Sequence, residues 1–180
     1  MQRSVSTASI DVVGVKETLR ALNKIDKKAR RQLTKDYAQI VSTVVNEARA
    51  ATPSEPPLSG MAYKWSARRV SQIFPWNNGA SDRAIKPFVS GKKPRQFGAY
   101  TSDLATFGIK WTSADALAVE MSGAGSVPTA RGRQMVAALN QRYGAPGRFL
   151  WKAYERHEAT VVAEVMKLIR EAERRIQKEL

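Results

Sequence analysis

The residues with the clearest chemical potential in this sequence are basic, and they are clustered. Among 180 residues, 30 Lys and Arg oppose 16 Asp and Glu, which gives a formal net charge of +14. The excess lies in residues 14–50 (+5) and 51–100 (+6), whereas residues 101–146 carry only +1. The first cluster comprises Lys24, Lys27, Lys28, Arg30 and Arg31, and the second comprises Lys92, Lys93 and Arg95. Such residues neutralise the phosphates of DNA, dock on acidic protein surfaces, or form a solvated face.

Catalytic and metal-binding patterns are missing from the sequence. The absence of cysteine excludes disulfides, thiolate zinc sites and cysteine nucleophiles. His157 is the only histidine, which is too few for an imidazole metal site. There is no G-x-S-x-G serine elbow and no G-x-x-x-x-G-K-[ST] phosphate loop, and Gly123-Ala124-Gly125 lacks the third glycine of a dinucleotide fingerprint. We therefore expect no enzymatic activity, no cofactor and no metal.

His157 and the four tryptophans are explained more simply by packing than by chemistry. His157 falls within the apolar stripe of a helix, where a packed imidazole is far commoner than a metal ligand or a pH-sensitive group. The tryptophans, Trp65, Trp76, Trp111 and Trp151, have the ring faces that stack on nucleic-acid bases. Buried or subunit-contact tryptophans are the commoner case. We therefore expect these residues to be structural.

A long amphipathic helix is predicted in the first third of the chain. Apolar residues recur every three or four positions over residues 15–50, and Pro53 follows. The pattern permits a break near Asn23–Asp26, with Asp26 as the N-cap of the second part.

Two more helices are predicted in the last third. One closes the chain, with an apolar stripe from Leu150 to Ile176 and charged residues opposite. The other spans Thr129–Tyr143 and is ended by Gly144.

Alternating apolar residues between the helices predict a small sheet. Residues 105–111 and 116–122 alternate with a period of two, and the short link between them predicts an antiparallel hairpin. A weaker strand is predicted around Arg83–Ser90, where Pro87 confines it to an edge or a bulge. Thr52–Gly60 and Trp76–Arg95 are otherwise typical of loops.

The expected fold is α+β, with long N-terminal and C-terminal amphipathic helices packed on a small antiparallel β-sheet and with long loops. The length suits one domain over residues 1–180, with a loop-rich insertion at about 54–100. No apolar run approaches the roughly 20 residues that a membrane span needs. The expected core comprises Leu33, Ile40, Val44, Leu117, Val119, Phe149, Leu150, Val161, Val165 and Leu168.

Four segments occur in an order that resembles a known family. Val12–Leu19 leads into the basic helix, which ends in Ala50-Ala51-Thr52-Pro53, with Leu58 and Gly60 beyond it. Ala118–Gly123 and Pro146–Ala153 follow, the second of them entering the final helix. Together they resemble the small tail-component, or neck, proteins of long-tailed bacteriophages, the gene-product-ten-like family encoded between the head-closure and tail-tube genes. The chain departs from the family in residues 61–105, in an inserted segment at 124–145, and in the Gly147-Arg148 pair before Phe149.

The resemblance implies a structural virion protein without a cofactor or a membrane partner. It would form a homo-oligomeric ring, six-fold in preference, in the neck or tail of the virion, around the DNA channel, after assembly in the host cytoplasm. Its other partners would be head-closure or connector proteins and tail-terminator or tail-tube proteins, with transient non-specific contact with genomic DNA. The two basic clusters would supply the docking or channel contacts.

Two other functions fit parts of the sequence, and a third class has no support in it. A tail terminator or a minor tail component is a close variant of the neck assignment. The net charge also fits a non-specific nucleic-acid-binding protein, although no helix-turn-helix, zinc-finger or single-strand-binding motif accompanies it. A small enzyme is the third class, and no catalytic motif supports it.

Overall fold

The computed structural model describes residues 27–62, 75–77, 83–89, 95–97, 100–102 and 107–179. Its helices and strands confirm the α+β class. In chain order the elements are α1 (Lys27–Ile40), α2 (Ser42–Ala51), a 3₁₀ turn (Ser59–Met61), β1 (Ile85–Val89), β2 (Arg95–Phe97), β3 (Tyr100–Ser102), β4 (Phe107–Trp111), α3 (Ala114–Met121), α4 (Ala130–Tyr143) and α5 (Leu150–Glu179).

Contacts divide the chain into two compact units. The described parts of the first unit come from Val44–Lys86 and Lys110–Arg156. Those of the second come from Ser6–Thr43, Pro87–Ile109 and His157–Leu180.

The core of the first unit is built around Phe149, which is 3% exposed. The ring of Trp111 meets it edge-on at a centroid distance of 6.2 Å, and the ring of Tyr143 does so at 5.4 Å. Edge-to-face aromatic pairs add about 0.5–1.5 kcal/mol beyond the apolar area they bury. Further buried apolar side chains of this unit are Val44, Val45, Ala48, Met61, Trp76, Ile85, Ala116, Val119, Leu139 and Ala153.

The core of the second unit combines α1, β4 and the later part of α5. Tyr37 of α1 packs its ring on Phe107 of β4, with a centroid distance of 5.0 Å. The other buried apolar side chains are Leu33, Val41, Val161, Val165, Leu168, Ile169 and Ala172.

The expected core is mostly correct. Of its ten residues, Leu33, Val44, Val119, Phe149, Val161, Val165 and Leu168 are buried. Ile40 and Leu150 are half-buried. Leu117 is wrong, because its side chain is 39% exposed.

The N-terminal helix is interrupted where the sequence did not predict a break. α1 ends at Ile40, Val41 forms a turn, and α2 begins at Ser42. The hydroxyl of Ser42 donates to the carbonyl of Gln39 over 2.7 Å, a local bond that competes with the helical ladder. The predicted break at Asn23–Asp26, the Asp26 cap and the Val12–Leu19 segment lie outside the described residues.

The hairpin of 105–111 with 116–122 is wrong in its second strand. β4 is a strand, but Ala114–Met121 is the helix α3. Its buried residues, Asp115, Ala116, Val119 and Glu120, share one face of a helix, whereas Leu117 lies outside that face. The strand prediction rested on the alternation of Leu117, Val119 and Met121. The segment also contains Ala114, Ala116 and Ala118, and alanine is the strongest helix former.

The partner of β4 is β1, which falls within the weaker strand predicted at Arg83–Ser90. The N–H of Thr112 donates to the carbonyl of Ala84, and Gly108 faces the ring of Phe88, so the two strands run in opposite directions. Both strands of a two-stranded sheet are edges, which accommodates Pro87.

A second pair, β2 and β3, is antiparallel with Gln96 opposite Thr101. The sequence predicted no regular structure for Arg95–Phe97 and Tyr100–Ser102.

Both C-terminal helices are confirmed. The hydroxyl of Thr129 accepts the N–H of Gly132 over 3.1 Å and so caps α4. Gly144 ends α4 with a φ of +85°, a conformation that side chains disfavour. Among the described helices, none combines the length and apolarity of a membrane span.

Candidate functional site

The most unusual polar arrangement in the described residues is a buried carboxylate at the start of α5. Glu120, in the last turn of α3, is only 4% exposed. Its Oε2 accepts the backbone N–H of Phe149 over 2.8 Å, and its Oε1 accepts that of Trp151 over 3.1 Å. The first N–H groups of a helix have no partner within the helix and favour a negative charge. Glu120 therefore caps α5.

A buried guanidinium binds the backbone carbonyls at the end of α3. Arg148 is 3% exposed. Its Nη1 donates to the carbonyls of Val119 (2.5 Å) and Glu120 (3.2 Å), and its Nη2 donates to the carbonyl of Ser122 (3.0 Å) and to Asn140 Oδ1 (2.7 Å). These carbonyls lie where the helical ladder of α3 runs out.

The loop before α5 completes the arrangement, which we call the helix joint (Glu120, Asn140, Gly147 and Arg148). The N–H of Gly147 donates to the carbonyl of Glu120 over 2.8 Å. Gly147 has a φ of +83°, and a Cβ on it would lie 3.1 Å from Cβ of Trp151. A glycine is therefore favoured at this position on both conformational and steric grounds.

In the helix joint, burial and the neighbouring charges shift the pKa values of Glu120 and Arg148 in opposite directions. Burial raises the pKa of the Glu120 carboxyl, while the N–H groups of residues 148, 149 and 151 and the charge of Arg148 act in the opposite direction. Burial also lowers the pKa of Arg148, against the attraction of Glu120. The Nε of Arg148 is buried without a hydrogen-bond partner in the described part of the chain. Because both Glu120 oxygens hold backbone N–H groups, the geometry suits a scaffold rather than proton transfer to a substrate.

A second buried carboxylate, that of Asp115, is also engaged with the backbone. Asp115 is 7% exposed and lies in the first turn of α3. It accepts the N–H of Asn77 over 2.8 Å and the hydroxyl of Ser113. Within the described ranges, no group of three or more His, Cys, Asp or Glu residues is placed to hold a metal ion.

Comparison with known proteins adds no relative. No family model, no curated protein and no solved structure matches this chain.

The structure locates only part of the two basic clusters. Arg31 is exposed on α1, which also contains Lys27, Lys28 and Arg30, although the side chains of these three lie outside the description. Arg95 begins β2, and its side chain is likewise not described. Lys24, Lys92 and Lys93 fall outside the described residues. Docking or DNA contact by these clusters stays a prediction.

The described tryptophans have structural roles, as expected. Trp76 and Trp111 are buried, and the Nε1 of Trp76 donates to the carbonyl of Pro53 over 3.2 Å. Trp151 is half-buried, and its Nε1 donates to Glu155 over 2.7 Å. His157 is half-buried on α5, and Trp65 lies outside the described residues.

Sequence reasoning missed the helix joint. Glu120 and Arg148 are 28 positions apart, so no local spacing connects them. The available signal was compositional, since a lone Glu lies within Leu117–Met121 and a lone Arg precedes Phe149-Leu150-Trp151. Charged residues within apolar runs indicate buried and paired groups.

Proposed function

We propose that this chain is a structural component of a tailed-phage virion, a neck subunit that joins the head to the tail around the DNA channel. One observation supports the proposal above the others. The two segments Ala118–Gly123 and Pro146–Ala153, which carry half of the family resemblance, meet in the helix joint. Two matches that are distant in the chain are thus parts of one three-dimensional feature.

The chemistry of the joint agrees with a structural role. Its ionisable groups are turned inward and hold helix ends, and Asp115 likewise holds backbone N–H and hydroxyl groups. A subunit that keeps its shape within an assembly needs such fixed junctions, whereas an enzyme needs groups with accessible oxygens or nitrogens.

The proposed assembly follows from the resemblance. Copies of the chain form a closed ring, with six-fold symmetry, between connector or head-closure proteins and tail-terminator or tail-tube proteins. Closed cyclic rings use heterologous contacts between different surfaces of one subunit. The protein resides in the neck of the virion and assembles in the host cytoplasm.

Deletion of the gene from the tailed-phage genome that encodes it tests this proposal. Electron microscopy should show DNA-filled heads and complete tails that remain separate, and a plasmid copy of the gene should restore joined particles. Mass spectrometry of purified particles should detect the chain. Infectious particles formed without the chain, or its absence from the particle, would overturn the proposal.

Charge reversal tests whether the first basic cluster guides docking. The variant Lys27→Glu/Lys28→Glu/Arg30→Glu/Arg31→Glu should fail to restore joined particles if complementary charge steers attachment. Its matched control is Lys167→Glu/Arg170→Glu/Arg174→Glu/Arg175→Glu, four exposed residues of α5 with the same change in net charge. Equal restoration by both variants would exclude the cluster from docking.

A further inference from the structure

The surface charge around α4 differs from the net charge of the segment that contains it. Residues 101–146 carry a net charge of only +1, because Asp103, Asp115 and Glu120 oppose four basic residues. Asp115 and Glu120 are buried, and both bind backbone N–H groups. From Met121 to Tyr154 the sequence contains no acidic residue. The surface that α4 contributes is therefore basic, although residues 101–146 taken together are nearly neutral.

Two of the three arginines of α4 donate to neutral backbone carbonyls. Arg131, Arg133 and Arg142 are exposed. The Nη1 of Arg133 donates to the carbonyl of Pro128 over 2.7 Å, and the Nη1 of Arg142 donates to that of Pro57 over 3.2 Å. A carbonyl orients a guanidinium without cancelling its charge, and each guanidinium has five N–H donors.

The helical geometry places these arginines along two edges. Arg131 and Arg142 are eleven residues apart, which corresponds to about 16 Å along the axis and about 20° around it. They share one edge of the exposed face, and Arg133 lies on the other edge, about 200° around the axis from Arg131. Between the edges lie the small or neutral exposed residues Gln134, Ala137, Ala138 and Gln141.

This face fits a nucleic-acid duplex better than a protein. Protein interfaces depend on buried aromatic or other large anchors, and the exposed residues of α4 include no aromatic and no large aliphatic side chain. An α-helix with its side chains is about 10–12 Å wide, and the major groove of B-DNA is about 12 Å wide. Arginine matches the geometry of phosphate.

We propose that the exposed face of α4 binds the phosphate backbones of double-stranded DNA, with Arg131 and Arg142 on one strand and Arg133 on the other. The inference deepens the proposed function, on which it rests, by naming the surface that faces the DNA. α4 lies within the segment 124–145, in which the chain departs from the family it resembles.

Fluorescence anisotropy with the full chain and a labelled duplex of roughly 30 base pairs, titrated between about 50 and 200 mM salt, tests the proposal. The slope of log affinity against log salt is about −0.9 for each neutralised phosphate. Arg131→Gln/Arg133→Gln/Arg142→Gln should therefore flatten the slope by about 2.7 and weaken binding at least about tenfold at the lower salt. The control Lys167→Gln/Arg170→Gln/Arg174→Gln removes three exposed charges from α5 and should change the slope by less than about 1.

A second variant removes no arginine contact and so covers the case in which the triple variant fails to fold. Gln134→Lys/Gln141→Lys adds charge to the same face and should steepen the slope by up to about 2. Unchanged binding by both variants overturns the proposal, as does a slope that responds only to substitution of the Lys27–Arg31 cluster. Retained DNA binding by an α4 variant that no longer joins heads to tails would assign the face to an acidic protein and also overturn it.

The proposed function is tested by the gene deletion and not by the DNA-binding measurement. Infectious particles formed without the chain would remove the neck assignment, and the anisotropy measurement does not depend on that outcome.

Discussion

Glu120 and Arg148 each complete the helix end beside the other: the Glu120 carboxylate binds the first N–H groups of α5, and the Arg148 guanidinium binds the last carbonyls of α3. The end of one helix therefore depends on the beginning of the next. This reciprocity makes the helix joint sensitive to small changes in either partner.

Glu120→Gln should destabilise the fold. The two carboxyl oxygens accept the N–H groups of Phe149 and Trp151, and an amide offers only one acceptor oxygen, so one buried N–H is left unpaired at a cost of about 1–3 kcal/mol. Urea denaturation measures the loss in the free energy of unfolding. Glu164→Gln, which breaks the exposed pair with Lys167, is the control and should cost less than about 1 kcal/mol. Equal costs for the two variants would show that the joint contributes little.

The contribution of Glu120 to stability should decrease as the pH rises. Burial raises its pKa in the folded protein above the ordinary value of 4.5, so the folded state binds more protons than the unfolded state in the interval between the two values. The free energy of unfolding of the wild type relative to Glu120→Gln should be greatest below pH 4.5, fall through the raised pKa, and then level off. Urea titrations of both proteins from pH 4 to pH 8 measure this difference. An increase with pH would mean that the N–H bonds outweigh burial and depress the pKa.

A methyl group at Gly147 should open the joint, whereas one at Gly125 should not. Gly147 has a φ of +83° and a neighbour 3.1 Å from an added Cβ, and a left-handed conformation costs an L-residue about 1–2 kcal/mol. Gly125 has nothing within 4 Å of an added Cβ. Thermal unfolding should show a lower Tm for Gly147→Ala and an unchanged or slightly higher Tm for Gly125→Ala. The reverse order would contradict the described loop.

Substitutions at Leu117 and Val119 distinguish a helix from a strand at 116–122. A strand places both side chains on one face, whereas α3 buries Val119 and leaves Leu117 39% exposed. Leu117→Lys should change the free energy of unfolding by less than about 0.5 kcal/mol. Val119→Asp should prevent folding, because an unpaired buried carboxylate costs several kcal/mol against a total stability of about 5–15 kcal/mol. Circular dichroism and urea denaturation measure both, and similar damage from the two substitutions would favour the strand.

Helices with long apolar stripes were predictable because many residues repeat the same signal. α5 carries its stripe over eight turns, and α4 has both a cap at Thr129 and a stop at Gly144. α3 has only eight residues, in which the alternation of Leu117, Val119 and Met121 has the period of a strand. The helical pattern of burial in α3 includes Asp115 and Glu120, which sequence reasoning places on the surface. Both are buried because they bind the backbone N–H groups of Asn77 and of Phe149, which are distant in the sequence.

The joint could not be predicted for a related reason. A charged residue is normally placed on the surface by sequence reasoning, and Glu120 and Arg148 are exceptions only because each finds backbone partners from a distant segment. The basic face of α4 was missed in the same way, since the net count over residues 101–146 weighs buried and exposed carboxylates equally. The location of a charge is a property of tertiary structure.

The chain leaves the joint after Glu120, contacts it again at Asn140 and returns to it at Gly147, so the exposed turn at residues 124–126 lies between two segments that the joint holds together. The length of a flexible turn has little effect on stability, because doubling it costs only about 0.6 kcal/mol in closure entropy. Residues can therefore be gained or lost in this turn at small cost. The same turn, around Gly125, is also where a tag or a foreign helical module could be grafted while both capped helix ends stay in register.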